Sequence, residues 1–187
     1  MLMKKHFYFN GRKYNRIYID TCGVMHQGFE NCIKGLIPTL QSSGIKLTVP
    51  NAVMAELKRF EGEMSDRGKR AKRALENIGA LHRVGLVEIT GHRETPQTPD
   101  SYFAEVVLQA RSNQEKLLIV SQDYQLALDI LSINNIKSQK GPAANVKRLT
   151  ATGSLEDFDL SRPANAYSPK KNSTYNTTKA VLKRFGL

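Results

Sequence analysis

Cysteine is scarce in this chain, with two among 187 residues, Cys22 and Cys32. Their spacing matches neither a metal-ligating pair nor a disulfide framework, which excludes a cysteine-built metal centre and a disulfide-stapled fold. A reducing cytoplasm is the expected setting. Long apolar runs are also missing: no window approaches the ~18 to 20 apolar residues of a membrane span. The opening MLMKKHFYFNGRKYNR has no hydrophobic stretch after its lysines, so neither a signal peptide nor a membrane association is expected. The four histidines, His6, His26, His82 and His92, follow no pairing rule and read as surface or packing residues. There is no GxxxxGK[ST] loop, no GxGxxG after the first strand, and no late-strand lysine of the receiver type. Those absences count against a nucleotide-binding or phosphate-accepting α/β domain.

Acids are absent from the C-terminal end. All 17 Asp and Glu lie at or before Asp159, whereas Arg162, Lys170, Lys171, Lys179, Lys183 and Arg184 follow it. The chain has a formal net charge of +11, and such a balance favours a polyanionic partner, because Lys and Arg gain affinity by releasing condensed counterions. Residues 1–150 read as one domain, and residues 151–187 as a basic Ser/Pro/Asn-rich tail, expected to be flexible.

Within the first part, short apolar β-formers alternate with helical spacing. RIYID (16–20), KLTVP (46–50), LVEIT (86–90) and KLLIVS (116–121) read as strands, with a further short one in NVKRLT. Between them, FENCIKGLIPTLQSSG carries Cys32, Ile33, Leu36, Ile37 and Leu40 at helical spacing, with Pro38 as a possible bend. Asn51 looks like the N-cap of AVMAELKRF. DRGKRAKRALENIGALHRVG is a basic helix with Ala71, Leu75, Ile78 and Leu81 on one side. DSYFAEVVLQA opens a helix near Asp100, and QDYQLALDILSIN turns Leu126, Ala127, Ile130 and Leu131 inward. Strands apolar on both faces alternating with helices predict an α/β fold, a three-layer α/β/α arrangement with a mostly parallel central sheet.

In such a sheet ligands bind beyond the carboxyl ends of the strands. Asp20 ends the first strand, Asp123 follows KLLIVS, Asp100 opens a helix and Glu56 lies about a turn into another. Each has a plainer reading. Asp100 and Asp123 could be helix caps or first-turn acids, Glu56 a surface acid beside Lys58 or Arg59, and Asp20 a turn-forming Asx residue.

Taken together, the strand ending Asp-Thr, the acid in VPNAVMAELKRF, the acid in PDSYFAEVVLQA and the strand-plus-acid LLIVSQDYQLA occur in one order. In that order the chain resembles the PIN-domain family of metal-dependent nucleases over roughly residues 15–135. The resemblance implies a PIN-like fold and an endoribonuclease whose four acids, Asp20, Glu56, Asp100 and Asp123, bind one or two divalent cations and cleave RNA. Cys22 and Gly23 follow Asp-Thr where the family commonly has bulkier residues, a difference read here as packing. Four carboxylates in one crevice raise one another's pKa unless cations neutralise them, and oxygen-only ligands select Mg²⁺ or Mn²⁺. On that basis Asp20 and Asp123 are expected to be metal ligands and Asp100 a ligand or supporting acid. Glu56 would orient or deprotonate water, while Thr21 and Ser121 would fix the carboxylates by hydrogen bonds.

An acidic pocket repels RNA, so flanking cations should hold the backbone. Arg67, Lys69, Arg70, Lys72 and Arg73 in RGKRAKR are candidates, with Lys170 and Lys171 of the tail, although the helix could equally pair with Glu63 and Asp66. Phe7, Tyr8 and Phe9 could stack bases or pack on the core. The resemblance further implies a toxin of a toxin–antitoxin pair, with an acidic antitoxin or regulatory protein as partner, or a small RNA-processing enzyme. It also allows a homodimer. A catalytically weak PIN-like module that binds RNA or protein is the alternative.

Overall fold

The computed structural model describes residues 5–91, 98–138 and 140–159. The apolar runs become strands β3 (Arg16–Ile19), β4 (Leu47–Pro50), β5 (Val87–Thr90), β6 (Leu117–Val120) and β7 (Asn145–Leu149). These follow a hairpin of β1 (Phe7–Phe9) and β2 (Arg12–Tyr14), and precede β8 (Leu155–Asp157). Every residue of β4 and β6 is buried, as strands covered on both faces require. The helices are α1 (Thr21–Val24), α2 (Phe29–Ser43), α3 (Asn51–Glu61), α4 (Asp66–Arg83), α5 (Pro99–Ser112) and α6 (Tyr124–Asn134).

The six-stranded sheet has the order β5-β4-β3-β6-β7-β8, parallel throughout except for β8. From β3 the chain steps outward to β4 and β5, crosses back to β6, and then steps the other way to β7. Because strand–helix–strand crossovers are right-handed, opposite stepping directions put the intervening helices on opposite faces. The helices accordingly pack as the pairs α3 with α4 and α5 with α6, and the fold is α/β with helices flanking a mostly parallel sheet.

Several local features depart from the sequence expectations. The Asn10-Gly11 pair takes positive φ angles of 46° and 70° and closes the β1–β2 hairpin, a turn whose twist suits paired strands. This hairpin buries Phe7 and Tyr14, and Tyr8 points outward. Asn51 is not a cap: α3 starts on it after Pro50, and its side-chain amide donates instead to the Gly91 carbonyl. The second helix runs through Pro38 and ends at Gly44, in the left-handed region at φ 64°, where glycine has no Cβ penalty. Leu131 is exposed, and Ile133 takes the inward place. The sheet also passes the boundary expected at residue 150, since β8 pairs with β7 through Leu149↔Leu155 and Lys147↔Asp157. Most of the expected tail, including Lys170 and Lys171, lies outside the described residues.

At the centre of the sheet Leu118 is fully buried. Leu118→Ala should destabilise the fold by about 2 to 5 kcal/mol, as large-to-small core changes do. Urea unfolding checks this, and a loss below ~1 kcal/mol would mean that β6 is not the core strand.

Candidate active site

Strands β3 and β6 are parallel neighbours, with Ile19 level with Val120, and the chain leaves them in opposite directions. That reversal opens a crevice at their carboxyl ends. The first residues beyond the two strands are Asp20 and Ser121, 4% and 0% exposed. The Ser121 hydroxyl donates to Asp20 Oδ2 and accepts the backbone N–H of Asp123 at 2.8 Å. The other oxygen of Asp20 accepts the Gly23 N–H and caps α1. A strand-end acid is thus also a helix cap, and its turn-forming role coexists with its place in the crevice.

Asp123 has the same double position. It caps α6 through Oδ1, which accepts the N–H groups of Gln125 at 2.8 Å and Leu126 at 3.2 Å. Asp100 is a first-turn acid of α5 and not its cap, because Thr98 accepts the Ser101 N–H at 3.3 Å. Glu56 reaches the site through Thr21, whose buried hydroxyl donates to Oε2 at 2.6 Å, while Arg59 binds Oε1 at 3.3 Å. The two hydroxyls therefore divide the acids: Ser121 holds Asp20, and Thr21 holds Glu56.

Burial is the largest influence on Asp20 and raises its pKa to about 7. The hydrogen bonds from Ser121 and Gly23 oppose the shift, and the carboxylates of Asp123 and Asp100 add to it. A buried carboxyl whose charged neighbours of greatest effect are two more carboxylates is a site that favours a cation. The donors are all oxygen, which suits a hard divalent ion. The chemistry of the set therefore fits Mg²⁺ or Mn²⁺. As the side chains stand, no three acid, His or Cys groups among the described residues lie close enough together to grip an ion.

Gly23 is a requirement that the sequence reading passed over as packing. A Cβ there would lie 2.8 Å from Ile19 Cγ1, 2.9 Å from Asp20 Oδ1 and 3.0 Å from the Val120 carbonyl. The signal was the spacing: an Asp cap accepts from the N–H three residues on, so the backbone of residue 23 has to close on the carboxylate.

Three of the five bases in RGKRAKR bond to acids. Arg67 pairs with Glu63, Lys69 with Asp66 at 3.3 Å, and Arg73 with Glu30 at 2.7 Å. Arg70 and Lys72 are exposed. The helix is thus partly a self-paired face.

The sequence matches no protein-family model and no curated protein. Among solved structures, the chain is similar to the PIN domain endonuclease Utp24, with 16% identity and a TM-score of 0.47 over 77% of this chain and 96% of that one. It is also similar to a domain of a functionally unknown protein from Methanocaldococcus jannaschii DSM 2661, with 20% identity and a TM-score of 0.43 over 60% of this chain and 81% of the other. Both TM-scores fall below 0.5, so the site's own residues must carry any functional reading.

Because the folded-state pKa of Asp20 lies near 7, above its unfolded value, the folded chain holds a proton that the unfolded chain has released. Its contribution to stability is therefore lost as pH rises toward 7, by about 3 kcal/mol between pH 5 and pH 8. Asp20→Asn should flatten that slope and be the more stable protein at pH 8. Urea unfolding across the range checks this, and equal slopes in the two proteins would refute it. Gly23→Ala should cost about 1 to 3 kcal/mol by overpacking and also weaken the Asp20 slope, because the added methyl displaces the carboxylate it meets.

Proposed function

We propose that the chain is a divalent-metal-dependent endoribonuclease of the PIN type, hydrolysing RNA phosphodiester bonds at the crevice between β3 and β6. One observation carries this reading: Asp20 is buried where the strand order reverses, and Asp123 and Asp100 are its strongest charged neighbours. Asp20, Asp100 and Asp123 would hold Mg²⁺ or Mn²⁺. When bound, such an ion polarises a phosphate oxygen and lowers the pKa of water.

The chain's own residues have distinct tasks. Ser121 fixes the Asp20 carboxylate from the neighbouring strand, so that the acid meets the reaction in one rotamer. Glu56, steadied on Oε2 by Thr21, would take the proton of the water whose oxygen bonds to phosphorus; the P–O3′ bond breaks and the leaving oxygen takes a proton from solvent, giving a 5′-phosphate and a 3′-hydroxyl. Exposed Arg70 and Lys72 contribute to holding the RNA backbone, whose charge the acids alone would repel. An acidic regulatory protein that covers the crevice is the partner this charge pattern suits.

A second reading is a catalytically weak module that binds RNA or protein. It is favoured by the absence, among the described residues, of three ligands already in gripping distance. Incubation with a mixed RNA pool and Mg²⁺ or Mn²⁺ separates the two. The nuclease reading expects cleavage that EDTA abolishes and that Asp20→Asn reduces on the order of 100-fold or more, with Ser121→Ala reducing it about 10- to 100-fold. Cleavage surviving both EDTA and Asp20→Asn would sink the metal–carboxylate mechanism. RNA binding without cleavage in either metal would establish the second reading.

A further inference from the structure

Beside the crevice, and lined by none of its four acids, is a cavity of about 420 Å³ between the α1–α2 connection and α4. We infer that it is a subsite for one unpaired nucleotide of the RNA substrate, with the base on an apolar floor and the phosphate at Arg70. This rests on the nuclease reading for the identity of the strand that carries the nucleotide.

Position is the first argument. Asp20 caps one end of α1, and Val24 and Met25 at its other end border the cavity. Four helical residues rise ~6 Å, which puts the α1 border of the cavity about that far from the Asp20 cap. The volume falls in the range of small-ligand pockets, roughly 300 to 1,000 Å³. Its floor is apolar, made by Val24, Phe29 and Ala74, all buried, with the partly buried Met25 beside them. A thioether and flat apolar groups suit the face of a base.

The walls are polar and already oriented. His26 Nδ1 accepts the Gly28 N–H at 3.1 Å, which leaves the ring proton on Nε2 as a donor. Glu30 Oε1 accepts from both Arg73 Nε at 2.7 Å and Asn77 Nδ2 at 3.0 Å. These bonds hold the Glu30 carboxyl at a pKa of about 2, so it is an acceptor only. They also leave the Asn77 carbonyl oxygen and Glu30 Oε2 as acceptor sites. Two fixed acceptors call for a base edge with two hydrogens to give, which an exocyclic amino group has, whereas uracil offers only its single ring N3–H between two oxygens. A carboxylate inside the wall also disfavours an acidic peptide. Arg70 supplies the complementary charge for a phosphate at the rim. An unpaired nucleotide is required because a duplex keeps its bases stacked out of such a cavity.

The test uses the full chain without divalent cation, titrated with CMP, GMP, AMP and UMP and followed by two-dimensional NMR. Shifts at Met25, Arg70 and Asn77 are expected, with UMP about 5- to 10-fold weaker than CMP, the value of one hydrogen bond. Glu30→Gln, which keeps the wall's shape, should erase that discrimination. Arg70→Ala should weaken CMP but not cytidine. In cleavage assays with Mg²⁺, Glu30→Gln should raise KM for single-stranded RNA and leave kcat within about twofold, as loss of uniform binding does. Nucleotide binding with no cleavage would overturn the nuclease reading and uphold the pocket. Asp20-dependent cleavage with no nucleotide shifts, and with KM unchanged in Glu30→Gln, would overturn the pocket and spare the nuclease reading. Tighter binding of a poly-glutamate peptide than of any nucleotide, at the same residues, would also overturn it.

Discussion

Burying a carboxylate at the end of an apolar strand costs free energy that fixed hydrogen bonds must offset. In this protein the offset is partial, since burial still raises the Asp20 pKa, and its largest part is one contact between neighbouring strands, the hydroxyl of Ser121 on Asp20. It forms because β3 and β6 are parallel and in register, so the residue after Ile19 lies beside the residue after Val120. Ser121 meets the backbone of Asp123 as well, so the same hydroxyl ties the start of α6 to the end of β3. Gly23 completes the arrangement by letting a backbone N–H close on the second oxygen. Remove the register, the hydroxyl or the glycine, and Asp20 has to return to solvent or keep its proton to still higher pH.

Topology explains why the other acids come to the same edge. In a parallel sheet every strand-to-helix connection lies at the carboxyl ends, so helix N-termini gather there with their positive dipole ends. Asp123 caps α6 and Asp100 lies in the first turn of α5. Capping and cation binding are therefore not rival explanations for these residues. A cap occupies Asp123 Oδ1 and leaves Oδ2, so one side chain can orient a helix and still face the crevice. Glu56 differs, since it lies inside α3 and reaches the site only because α1 packs on that helix and presents Thr21.

The strands, the major helices and the α/β class were legible because burial on both faces leaves a continuous apolar run, as in LLIV of β6. The places of Asp20 and Asp123 along the chain followed from the ends of those runs. Pairwise choices were not legible. Nothing local to Asn51 says that its amide will cross to Gly91 instead of capping its own helix. Nothing in RGKRAKR says that Arg73 will bond to Glu30, 43 residues earlier. Strands β1 and β8 have three residues each, too short for alternation to register, although the Asn10-Gly11 turn signal was present. Leu131 and Ile133 lie two apart near the end of α6, where a helical stripe already turning away makes the inward residue a matter of tertiary contact.

Charge acts here on different length scales. The excess of base is a property of the whole sequence, and an excess of that kind acts over distances comparable to the ~8 Å Debye length at physiological salt. On α4 that attraction is partly cancelled, because Arg67, Lys69 and Arg73 are already matched to acids. Directional contacts keep their discrimination under such cancellation, since hydrogen bonds depend on geometry and short range more than on summed charge. The Glu30–Arg73–Asn77 network is of that kind: one carboxylate oxygen gathers two donors from α4 and orients one wall of the cavity. Long-range attraction by the basic surface and short-range positioning by neutralised pairs are thus complementary consequences of putting an acidic crevice in a basic protein.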